Sequence, residues 1–263
     1  MTCVTSSRAR LLLLTFALTL CPYGVAADRT LTVAAAADLG PALQELATSY
    51  QQRTGTRVAL VLGSSGNLTS QIEHGAPYHV FFSADTGYPR QLESKGLTQP
   101  GSMYVYAAGK LVLFVVRDSP LGVHQLGMRA LLDSSVQKIA IANPRHAPYG
   151  RAAMAAIESA GLAPRISHKL VLGEDVTQAA QFVLSGNAQI GIIPLSLVLA
   201  PGMAGKGKYW QLPAAAYPPI EQAAVILKST KEPALANGFI EFVKSPPAAA
   251  VLRRYGFERP ETK

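Results

Sequence analysis

Cysteine is nearly absent from this 263-residue chain, and both copies, Cys3 and Cys21, stand close to its start. A chain cut beyond Cys21 would have no thiol, no disulfide and no cysteine metal site, so its stability would rest on its core alone. The length that remains is enough to bury such a core, as one large domain or two lobes. Histidine is sparse too: His74, His79, His124, His146 and His168 are dispersed, and no two have metal-ligand spacing. The formal charge of +8 is scattered without a lysine–arginine block, which reads as a solvated basic surface rather than a nucleic-acid footprint. No glycine pattern fits a nucleotide loop, and there is neither an internal repeat nor a low-complexity tail. Past the leading segment, no stretch is long and apolar enough to cross a bilayer.

The leading segment has its own design. Arg8 and Arg10 precede the apolar run Leu11–Leu20, and Val25-Ala26-Ala27 offers a small-residue cleavage site. This is the pattern of a signal peptide, predicting export and a mature chain that begins at Asp28. Leu20 stands where a lipidated Cys21 would want a small residue, which argues against a lipid anchor. Loss of the two arginines lowers the formal charge by two, to +6. A modest positive field of that kind would speed the arrival of an anion.

Strand-like and helix-like segments then alternate, the pattern of a parallel α/β fold. Residues 32–36, 58–62, 80–84, 110–117, 138–142, 170–172, 189–193 and 222–227 read as strands. Residues 41–52, 68–74, 151–160, 176–185, 234–244 and 247–255 read as helices. Residues 143–150 read as a turn-rich loop, and 200–207 as a loose surface turn. Two corners stand out. An apolar run leads through Gly63-Ser64-Ser65-Gly66-Asn67 into a helix, and another leads through Ala36-Ala37-Asp38 into a second. At each corner the free N–H groups and the positive end of a helix dipole converge, which suits a small tetrahedral oxyanion.

Six motifs in order carry a family resemblance: Ala34-Ala35-Ala36-Ala37-Asp38-Leu39, Gly63-Ser64-Ser65-Gly66-Asn67-Leu68, the run from Gly75 to Asp85, the run from Asn143 to Gly150, Gly173-Glu174-Asp175-Val176 and Arg254-Tyr255-Gly256-Phe257. The chain resembles the periplasmic molybdate-binding proteins of molybdate ABC transporters over nearly all its mature length. The resemblance implies a two-lobed periplasmic-binding-protein fold, each lobe a mostly parallel sheet flanked by helices. Residues 28–108 with 220–263 would form lobe I, and residues 109–219 lobe II. A dehydrated molybdate or tungstate would sit in the interlobe cleft, held by neutral donors from Asp38, Ser65, Tyr149 and Val176. Molybdenum would be present only within that oxyanion. The resemblance further implies a periplasmic monomer without a resident cofactor or a nucleic-acid partner, serving a membrane permease. At Pro194 some members offer a tyrosine hydroxyl. Proline has neither that hydroxyl nor an N–H, so Tyr149 replaces the contact or the site is one donor short.

Asp38 departs from the serine or asparagine usual in the resembled family. A carboxylate beside an oxyanion is repulsive, so the expected role is a cap on the helix that starts near Leu39, with the backbone N–H left for the ligand. A protonated carboxyl, or one bound directly to the metal centre, are the alternatives. Ser65 could likewise be a plain helix cap, and Tyr149 a packed loop aromatic. Asp175 reads as a cap, Asp85 as structural and His146 as a loop-packing residue. Sulfate, phosphate or an organic acid remain alternative ligands. An exported hydrolase using Ser65 is the alternative of another class, but Gly63-Ser64-Ser65-Gly66 lacks the spacing of a nucleophile elbow.

Overall fold

A computed structural model describes residues 30–259, together with the first two residues. The predicted signal segment, its cleavage after Ala27 and both cysteines lie outside the described residues.

The described residues form two five-stranded sheets. The first contains β1 (Thr30–Ala36), β2 (Arg57–Gly63), β3 (Val80–Ser83), β4 (Tyr104–Gly109) and β10 (Ile220–Ile226), in the order β2-β1-β3-β10-β4. The second contains β5 (Leu111–Val116), β6 (Ile139–Ala142), β7 (Leu170–Gly173), β8 (Ile190–Pro194) and β9 (Gly207–Gln211), in the order β7-β6-β8-β5-β9. The chain therefore crosses from one lobe to the other at Gly109–Lys110 and returns between Gln211 and Ile220.

Each sheet is mixed. The strands joined through helices pair in parallel, β1 with β2 and β3, and β6 with β7 and β8. The strands next to the crossovers pair antiparallel: β10 with β3 and β4, and β5 with β8 and β9. The parallel character read from the sequence thus belongs to the strand–helix–strand units, and the crossover strands add the antiparallel half.

The pleat of the first sheet feeds two cores. Leu31, Val33, Ala35 and Phe82 face the helices Gly40–Thr54 and Pro233–Lys244, where Tyr50 meets Phe239 edge to face at 5.1 Å. Ala34 and Phe81 face Leu68 and Ile72 of the helix Ser65–Glu73, and Leu92 of the helix Gly87–Ser94. The second sheet buries β5, β6 and β8 almost completely between helices, and its core continues through Ala36, Ala37 and Ala84 of the first lobe.

The carboxyl ends of β1, β2, β3, β6 and β7 all run into the cleft between the lobes. The turns that follow them carry Asp38, Ser64, Ala84, Asn143 and Glu174, at the usual place for a ligand in such sheets. The helices start earlier than the sequence suggested. The second begins at Ser65 rather than Leu68, and the loop from Asn143 gives way to a helix at Pro148 rather than Arg151. Proline in the first turn explains the latter start, because its missing N–H and fixed φ fit that position.

Candidate functional site

Asp38, Ser65, Tyr149 and Val176 line one cavity between the lobes, with Ala36, Ala37, Gly63, Ser64, Ala84, Ala147, Pro148 and Asp175. All four are buried, at 0–5 % exposure. Pro194 closes β8 and does not line the cavity. In this closed arrangement the cavity measures about 10 Å³, about the room of one water.

Ser65 is the first residue of its helix, and Ser64 occupies the cap position. The Ser65 hydroxyl accepts a hydrogen bond from the Ala84 N–H at 2.9 Å, which leaves its proton for a second partner. The plain-cap alternative for Ser65 is therefore wrong. The turn places Ser64 at the cap, and β3 holds the Ser65 oxygen by the adjacent backbone. Val176 opens the helix Val176–Leu184. Asp175 caps that helix as expected, accepting from the N–H groups of Thr177 at 2.8 Å and Gln178 at 3.0 Å. Those bonds bypass Val176, whose N–H makes no hydrogen bond among the described residues.

Asp38 contradicts the expected cap. It lies inside a short 3-10 turn, Ala37–Leu39, and the following helix is capped by Leu39 without a side-chain bond. The Asp38 side chain turns to β10. There Oδ2 accepts from Gln222 Nε2 at 2.7 Å. The same amide nitrogen donates to the Tyr149 hydroxyl at 2.9 Å, and Gln222 Oε1 accepts from the Tyr106 hydroxyl at 2.6 Å. Gln222 is fully buried, and so the amide spends both donors and its acceptor inside this network. Gly109 makes room for it: a Cβ there would stand 1.9 Å from the Tyr149 hydroxyl and 2.9 Å from Gln222 Nε2.

Burial pushes the Asp38 carboxyl up from 3.8 to about 7. Hydrogen bonds from Gln222 and Tyr149, and from the N–H groups of Asp38 and Leu39, offset only part of that. Burial, with Asp38 close by, raises the Tyr149 hydroxyl well above its ordinary value, so it remains a donor.

The lobes meet around the cavity through backbone and side-chain contacts that include His146 and Asp85. The Gly66 N–H donates to the His146 carbonyl at 2.9 Å, and Ser64 Oγ pairs with His146 Nδ1 at 2.9 Å. Asn67 Nδ2 donates to Glu174 Oε1, and Arg151 pairs with Asp85 at 2.5 Å while lying over the Tyr88 ring. A hydrolase arrangement is missing here, because the nearby histidine bonds Ser64 rather than Ser65. Gln222 and Tyr106 are the members of the Asp38 network that the sequence reading does not single out. A fully polar side chain at the head of the apolar run 222–227 was the available signal for Gln222.

The family model for bacterial extracellular solute-binding proteins matches residues 31–258. The chain belongs to that family. Among its relatives, the molybdate-binding protein ModA of Azotobacter vinelandii is 38% identical over 225 residues, covering 86% of this chain and 88% of that protein. The ModA of Rhodobacter capsulatus is 37% identical over 232 residues, covering 88% and 89%. The solved structure of the Azotobacter vinelandii periplasmic molybdate-binding protein superposes with a TM-score of 0.83 at 37% identity, over 88% of this chain and all of that one. A solute-binding protein captures and releases its ligand unchanged, so this family member is not an enzyme.

Proposed function

We propose that this solute-binding protein captures molybdate, and tungstate equally, in the cavity between its lobes and delivers it to the permease of an ABC transporter. The observation that carries the reading is the convergence on one buried cavity of the Ser65 hydroxyl proton, the unpartnered Val176 N–H, the Tyr149 hydroxyl and the Asp38 corner. The kinship with molybdate-binding proteins supports the choice of ligand. A dianion held by neutral donors needs no counter-charge from the protein, and each charge-assisted hydrogen bond contributes about 1.5–3 kcal/mol.

Selection would follow from size. Molybdate and tungstate are nearly equal, whereas the smaller sulfate would leave donors out of reach. The residues lining the cavity are buried between the lobes, so the lobes part to admit the ligand and close on it. The protein acts in the periplasm, after export on its leading segment, as a monomer. Phosphate is the second reading. Hydrogen phosphate carries a proton, and the Asp38 carboxylate is an acceptor for it.

Calorimetric titration with molybdate, tungstate, sulfate and phosphate tests this. Molybdate and tungstate should bind with similar constants, and sulfate at least about tenfold more weakly, the scale of a misfit in a rigid pocket. Equal affinity for sulfate and molybdate would overturn the reading, and tighter binding of phosphate would favour the alternative.

A further inference from the structure

This inference rests on the oxyanion reading and concerns what happens to charge when the ligand arrives. A carboxylate lines the cavity that receives a dianion, and it is 1 % exposed. The groups that face it are neutral. Gln222 comes from β10 and Tyr106 from β4, within one hydrogen-bonded chain, and Tyr149 comes from the helix Pro148–Ser159. Ser196, from the helix Leu195–Val198, bonds the Asp38 backbone carbonyl at 2.8 Å. The helix Val176–Leu184 brings Val176 and, at its cap, the second carboxylate, Asp175, already committed to two N–H groups. Beyond β3, Asp85 is matched by Arg151. Among the described residues no cationic side chain bonds or pairs with Asp38.

An ionised Asp38 would therefore add to the charge of a dianion in a dry site, with nothing to oppose it. A neutral carboxyl solves this and gains a donor. One oxygen keeps the Gln222 bond, and the O–H reaches the ligand. We propose that the protein takes up one proton with each oxyanion dianion it binds, and that Asp38 carries this proton and donates it in a hydrogen bond to a ligand oxygen. Carboxylate, solvent proton and dianion combine, no other bond forms or breaks, and the charge in the cavity is one unit less negative than it would be without the proton. Release of the ligand returns the proton to solvent.

Before ligand arrives the carboxyl titrates at about 7. Below that pH Asp38 already holds its proton, and binding draws none. Above it, uptake approaches one proton, and affinity falls about tenfold for each pH unit.

The test is titration of the full mature protein with molybdate at about pH 6 and about pH 8.5, in buffers of different ionisation enthalpy, on the two sides of the Asp38 transition. The expected result is close to one proton taken up at the higher pH and close to none at the lower. Asp38→Asn should abolish the uptake and flatten the pH dependence, since its amide supplies a donor without titrating. His124→Gln, at an exposed histidine outside the cavity lining, should leave the uptake intact. Should the asparagine variant not fold, infrared difference spectra of the wild type at the higher pH should gain a protonated-carboxyl band on molybdate addition. Tight binding of molybdate with no proton uptake, or uptake that persists in a folded Asp38→Asn, would overturn the inference while leaving the oxyanion reading standing. Failure to bind any oxyanion would overturn both.

Discussion

Replacing Asp38 by asparagine should make the ligand-free protein more stable, by an amount that depends on pH. The folded carboxyl titrates at about 7 and the unfolded one near 3.8. Between those values the folded chain holds a proton that the unfolded chain has released. Stability from this group is therefore fully present below pH 3.8 and is lost as pH rises through about 7. About three pKa units at 1.36 kcal/mol each give about 4 kcal/mol lost by the alkaline side. Asparagine keeps an acceptor for Gln222 Nε2 and does not titrate. The gap between variant and wild type should thus be small at about pH 4 and reach about 4 kcal/mol at about pH 8. For a protein of this size that corresponds to a rise in Tm of roughly 8–16 °C. Differential scanning calorimetry of both proteins without ligand, at both pH values, reads this directly. An equal difference in Tm at the two pH values would refute the reasoning, because a packing effect does not titrate.

Two further substitutions probe the donors and the closure. Ser65→Ala removes a hydroxyl whose proton the Ala84 bond leaves free in the cavity, and should weaken molybdate binding by roughly ten- to hundredfold, measured by calorimetry. If the affinity holds while only the melting temperature falls, the hydroxyl serves the Ala84 N–H alone. Gly66→Ala would put a Cβ 2.7 Å from the His146 Cβ and 2.8 Å from its carbonyl oxygen, where the lobes meet. Overpacking of that kind costs about 1–3 kcal/mol, so molybdate should bind roughly five- to a hundredfold more weakly. Unchanged affinity in that variant would mean that the lobes do not close as the structure has them.

Most of the fold was legible because its strand–helix–strand units announce themselves locally. Val80-Phe81-Phe82-Ser83 is buried on both faces and reads as a short apolar run, as does Leu111–Val116. The two strands that escaped notice, β4 and β9, lie at sheet edges. β9, Gly207-Lys208-Tyr209-Trp210-Gln211, is half exposed and owes its extended form to pairing with Val112–Val116, about ninety residues earlier. Such pairing leaves little trace in the segment itself. The binding corners were legible for the same local reason, since strand, small residues and helix follow each other directly. The role of Asp38 was not. Its partner Gln222 is 184 residues away, and capping propensity pointed to the nearest helix end instead. The following helix has Leu39 at its cap position without a side-chain bond, and the Asp38 carboxyl accepts from Gln222.

The place of β10 has a consequence for how the molecule assembles. β4 has β10 as its sheet neighbour, and β10 also closes against β3. The whole of the second sheet, by contrast, comes from one continuous stretch, β5 to β9. As the chain emerges from its amino end, the later-encoded sheet has all its strands before the earlier one does. The first sheet must wait with β3 lacking one neighbour and β4 unpaired until residues 220–226 appear. Contacts that span so much sequence are slow to form, and an apolar strand left waiting is exposed to mispairing. The rate at which this protein reaches its native state should therefore be set by the arrival of one late strand, which also carries Gln222 to Asp38 and so completes the sheet and the binding network together.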